Sequence, residues 1–74
     1  MKLGRYKHFK GQVYEVIGIG QHTETLESLV FYRREDDNPD IIFGYVRPYL
    51  SFVSDVLVNG KHVRRFEYIG EDKT

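Results

Sequence analysis

The dipeptide Asn59-Gly60 constrains this chain more than any other feature. Both residues tolerate positive φ, so the pair favours the tight turn that joins two antiparallel strands. It stands between Asp55–Val58 and residues 61–69, which together predict a hairpin. The same period of two recurs upstream. In residues 29–34, Val30 and Tyr32 share one face and Leu29 and Phe31 the other, as a half-buried strand requires. Apolar residues alternate throughout more often than they recur at helical spacing, so the expected class is all-β.

Further strands are expected over residues 5–9, 12–20 and 41–46. In the second, Val13, Glu15, Ile17 and Ile19 are assigned to one face, and Tyr14, Val16 and Gly18 to the other. Gly18 and Gly20 mark a bulge or sharp bend within it. Residues 22–28 are polar and short enough for a loop or a single helical turn. Residues 35–40 read as an exposed acidic loop whose turn is set by Asn38 and Pro39. Pro48 interrupts the pattern, and residues 49–54 suit a short helical turn. Residues 70–74 are expected to fray. Five to six short strands, tight turns and at most one helical turn predict a small SH3-like antiparallel barrel, with residues 1–74 as one domain.

At 74 residues the chain is small for a self-supporting core, and it contains no cysteine. A domain of this size buries only about 60% of its unfolded surface. The six Tyr and five Phe compensate by burying a large area per residue. Without cysteine there is neither a disulfide nor a thiolate nucleophile or ligand. Eleven basic and eleven acidic residues balance, which argues against nucleic acid as the partner. No leader-like or membrane-length apolar run occurs, and a cytoplasmic protein without a membrane partner is expected. No glycine-rich phosphate loop or nucleophile motif is present, so neither a cofactor nor a catalytic residue is assigned.

The chemistry-bearing residues fall in scattered groups. His8, His22 and Glu24 are the types that relay protons or bind zinc, but their spacing matches no ligand motif, and no metal is assigned. The run His22-Thr23-Glu24-Thr25 reads first as a hydrogen-bonded clasp after the second strand. Arg47 and Arg65 offer planar forks of donors suited to carboxylate or phosphate. The competing reading pairs each with an internal carboxylate, Glu15, Glu24 or Glu67. Tyr6, Tyr14, Tyr32, Phe43, Tyr45 and Phe66 line a groove or, more simply, build the core. Lys61, His62, Arg64 and Arg65 form a basic run that alternation splits between two faces.

A set of motifs runs through nearly the whole chain in order: Gly4-x-Tyr6-x-His8, Gly11-x-x-Tyr14-x-Val16, His22-Thr23-Glu24-Thr25, Val30-x-Tyr32-Arg33, Val46-Arg47-Pro48, Phe52, Asn59-Gly60 and Arg65-Phe66. This composite resembles the bacterial family known as domain of unknown function 1653. The resemblance implies a small SH3-like barrel and no particular activity. The chain departs from the usual pattern at Tyr45, where a Trp is usual, at Thr23 for Ser, and at Arg64, where Pro often precedes Arg-Phe. Tyr45 thus offers a hydroxyl in place of an indole N–H.

These readings combine into one expectation, a non-catalytic binding module. Arg47, Arg65, His8, His22, Glu24 and Tyr6 are expected to border one pocket for a small anionic or polar ligand, or for a peptide carboxylate. The alternatives are a nucleic-acid-binding barrel, a metal-dependent hydrolase using His22 and Glu24, and a protein-interaction domain pairing through a sheet edge.

Overall fold

The computed structural model describes residues 1–36 and 44–71. Among these residues, seven strands and one short helix follow one another in the order β1 (Gly4–His8), β2 (Val13–Gln21), β3 (Ser28–Arg34), β4 (Tyr45–Pro48), α1 (Tyr49–Phe52), β5 (Asp55–Val58), β6 (Lys61–Arg64) and β7 (Phe66–Gly70). All strand pairings are antiparallel. Five strands form one sheet in the order β4-β3-β2-β1-β7, and β5 pairs with β6. The all-β class is as expected. Among the described residues the ladder does not close into a continuous barrel, because β4 and β7 are the two ends of the larger sheet.

The predicted hairpin is present, with Asn59 at φ 50° and Gly60 at φ 78°, but its second strand is shorter than the expected residues 61–69. The chain breaks at Arg65, and residues from Phe66 onward leave the hairpin to pair with β1. This division gives seven strands where five or six were expected. Pro48 ends β4 rather than interrupting it, on an edge strand where a missing N–H is tolerated. The start of the expected fourth strand, residues 41–43, lies outside the described residues, as do residues 37–40 of the acidic loop. Glu35 at the loop's start is not merely solvated, since its carboxylate lies 3.0 Å from Arg5 Nε.

The glycine-weakened strand β2 carries the expected bulge. Its register passes from Val16 opposite Tyr32 to Gly18 opposite Phe31, leaving Ile17 without a partner. One extra residue reverses the facing of everything after it. Tyr14 and Val16 therefore share the core side with Ile19, which stands opposite the fully buried Val30. Strict alternation had placed Ile19 with Ile17 and Val13, and the bulge is the reason it does not stay there.

The core consists of Tyr6, Val16, Val30, Tyr32, Phe52 and Phe66, with Tyr14, Tyr49, Val53 and Tyr68 packed against it. Phe52 of α1 stacks flat on Phe66, with centroids 4.1 Å apart and planes 1° apart. Its edge contacts to Tyr6 and Tyr32 fix the helix over the open end of the sheet. The sheet curls strongly. Arg47 on edge strand β4 places its guanidinium carbon 5.7 Å from the ring centre of Phe66 on the opposite edge strand β7.

Candidate functional site

The curl creates a corner where both sheet edges and α1 converge. On the inner face of β4, Tyr45 stands opposite Tyr32 and Arg47 opposite Val30. On β1 and β7, His8 stands opposite Phe66. The His8 ring packs 4.9 Å from Phe66 and 6.3 Å from Tyr14. Tyr14 in turn meets Tyr32, Tyr45 and Phe66 edge-on. A line of rings from Tyr45 through Tyr14 to His8 thus forms one wall, backed by Tyr32 and Phe66.

Arg47 and Arg65 enter this corner held by neutral oxygens. Arg47 Nε donates to the Tyr32 hydroxyl at 3.2 Å, and its Nη1 donates to Ser51 Oγ at 3.1 Å. Arg65 Nε donates to Ser54 Oγ at 3.3 Å, and Ser54 Oγ donates to the Ser51 carbonyl at 2.7 Å. The turn following β4 therefore fixes both guanidinium groups through two serines three residues apart. The other arginines of the sheet behave differently. Arg5 pairs with Glu35, Arg33 with Glu15, and Arg34 with Asp36. Among the described residues, no carboxylate lies within ion-pair distance of Arg47 or Arg65. The expected pairing with Glu15 is excluded by geometry, since Glu15 faces Arg33 at 3.0 Å.

His8 is held as a neutral donor. The backbone N–H of Lys10 donates to its Nδ1 at 3.1 Å, so the uncharged ring carries its proton on Nε2. Burial lowers its pKa below the usual value, and the positive charges of Lys10, Arg47 and Arg65 lower it further. Tyr14 is shifted the other way. Burial raises its phenol pKa, with Arg34 and Arg47 opposing and the neighbouring Tyr32 and Tyr45 adding to the rise.

Of the six residues predicted for one pocket, Arg47, Arg65 and His8 come together. Tyr6 is adjacent but submerged in the core, only 7% exposed, and its hydroxyl donates to the Lys2 carbonyl at 2.6 Å. Burial raises its pKa. His22 and Glu24 belong to the loop at the far end of β2, with the whole of that strand between them and the His8 turn. The His22 ring is the expected clasp, its Nδ1 accepting from the backbone N–H groups of Glu24 at 3.1 Å and Thr25 at 3.3 Å. Among the described residues, no three His, Asp or Glu side chains form a metal-binding group.

Sequence reasoning missed Ser51 and Ser54 as the anchors of the arginines. Their signal was available in outline: a serine four residues after Arg47, on a helical turn opened by Pro48, lies one turn away from it. Among the described residues, no helix is long and apolar enough to cross a membrane.

Comparison with known proteins agrees with this architecture. Residues 4–68 match the model of the family described as "Protein of unknown function (DUF1653)". A crystal structure of a DUF1653 protein from Bordetella bronchiseptica superposes with a TM-score of 0.82 at 26% identity, covering 100% of this chain and 94% of that one. No curated protein matches. A family match that begins at the first strand and ends within the last, joined to a common fold, establishes that this chain belongs to the DUF1653 family.

Proposed function

We propose that the protein is a non-catalytic binding module whose site is the corner formed by Arg47, Arg65 and His8, and that it accepts a small anionic ligand. One observation carries this reading. Arg47, over the Phe66 ring, and Arg65 are both anchored on the Ser51–Ser54 turn without a carboxylate among the described residues, while Arg5, Arg33 and Arg34 of the five-stranded sheet each have one. Like charges so placed repel one another, and an arriving anion relieves that repulsion. Tyr6 supports the site from within the core, and His22 and Glu24 stand outside it.

A nucleic-acid track has less support. Lys61, His62 and Arg64 are exposed on β6 but lie in a four-residue strand whose side chains alternate between faces. The test is a titration of the full chain with sodium phosphate at low ionic strength, followed by backbone amide and Arg Nε resonances. Shifts are expected at Arg47, Arg65 and His8, absent from the Arg47→Gln/Arg65→Gln double variant and retained in His22→Ala. Shifts that persist in the double variant, or no shifts in the wild type, sink the proposal.

A further inference from the structure

The donors of the corner select among anions. A guanidinium carries five N–H groups. Arg47 commits two of them, to Tyr32 and Ser51, and Arg65 commits one, to Ser54. The remaining N–H groups of both side chains, with the Nε2 proton of His8, make no side-chain hydrogen bond among the described residues. A planar carboxylate is satisfied by one fork, whereas a tetrahedral oxyanion presents oxygens in several directions. The fixed charge points the same way. Arg47 and Arg65 contribute two positive charges, and His8 is kept neutral because its Nδ1 already accepts from Lys10. A phosphomonoester carries about −1.5 to −2 at neutral pH and matches that pair.

The second part of the ligand is read from Tyr45. It lies two residues before Arg47 on the same face of β4, roughly 7 Å away by strand rise. The residue is 47% exposed although its ring meets those of Tyr14 at 6.2 Å and Tyr32 at 5.6 Å. A half-exposed phenol packed on two other rings beside a cationic donor set suits stacking by a flat ring. Resting on the anion-binding reading above, we infer that the ligand is a mononucleotide, with its phosphate on Arg47, Arg65 and His8 and its base on Tyr45. A polymer is not favoured, because the chain has no net charge and a strand of nucleic acid would need a continued track of cations beyond this corner.

The test is calorimetry and NMR titration of the full chain with inorganic phosphate, with AMP, GMP, CMP and UMP, with adenosine, and with acetate. At least one nucleotide is expected to bind about tenfold or more tightly than phosphate, the scale of one stacked base. Acetate and adenosine are expected to bind more weakly than phosphate. Tyr45→Ala and Tyr45→Leu should each bring the preferred nucleotide down towards the phosphate affinity while lowering phosphate binding itself far less. Arg47→Lys should weaken both. Phosphate should also move the titration midpoint of His8 upward, which a purely structural ring would not show. If no nucleotide binds better than phosphate, or if acetate equals phosphate, the mononucleotide inference is overturned and the anion site stands. If neither phosphate nor any nucleotide binds, both fall.

Discussion

Two polar clusters that look alike in the chain, the His22–Glu27 loop and the Arg47–Arg65 corner, handle their hydrogen bonds in opposite ways. The loop consumes its own. His22 accepts two backbone N–H groups through its ring, Thr25 Oγ1 accepts from Glu27, and Gln21 Nε2 donates to the Leu26 carbonyl. The closure is tight enough to hold Leu26 at φ 62°, a left-handed conformation that costs a branched side chain energy. The corner leaves donors over. Its arginines are positioned by hydroxyls and retain charge that no described carboxylate neutralises. Satisfaction within a turn marks architecture, and unspent donors on a rigid frame mark a candidate site.

The comparison breaks first, if it breaks, at Phe66. This ring supports Arg47, stacks on Phe52 and contacts His8. Phe66→Ala should cost about 3–5 kcal/mol, a large part of the stability of so small a domain, and should abolish phosphate binding. Urea denaturation checks the first effect. A variant that unfolds no more readily than wild type would show that the corner is not built on the core.

The next largest effect separates stability from binding. Arg65→Gln removes one of two like charges, so its midpoint in urea at low salt should stay within about 0.5 kcal/mol of wild type or rise. Phosphate affinity should nonetheless fall about tenfold. His22→Ala should do the reverse, lowering stability by about 1 kcal/mol with no change in phosphate affinity. If His22→Ala weakened phosphate binding, the separation of the two clusters would be wrong.

The smallest effect is on pH. His8 has a lowered pKa in the fold, so the unfolded chain binds the extra proton first as pH falls. Stability attributable to His8 is present above its ordinary value near 6.5 and is lost as pH falls through the depressed folded value. Urea midpoints of wild type and His8→Gln compared between pH 7.5 and 5 should show a steeper decline in the wild type. Saturating phosphate should flatten the difference by favouring the protonated ring.

Much of this was readable in the chain, and the gaps have physical causes. The Asn59-Gly60 turn, the alternation of Val30 and Tyr32, and the helical turn after Pro48 are local signals, so they emerge from a few adjacent residues. The reversal at Ile17 is also local, but alternation cannot locate which residue is extra. The split at Arg65 is not local. The doublet Arg64-Arg65 interrupts the alternation between Val63 and Phe66, but which partner Phe66 takes depends on the availability of β1. The meeting of Arg47 and Phe66 depends on sheet curl, which no motif encodes. The clasp of His22 was legible because its partners are two and three residues away.

One consequence follows from how Arg65 is tied. Its amide donates to the Ser54 carbonyl, and its carbonyl accepts from Phe9. These bonds close the neck of the β5–β6 hairpin while joining it to the end of β1. Among the described residues the hairpin shares no ladder with the five-stranded sheet. In amide hydrogen exchange it should open as a unit of its own, ahead of the sheet. Residues inserted around Asn59-Gly60 should therefore leave the pairings of the five-stranded sheet intact.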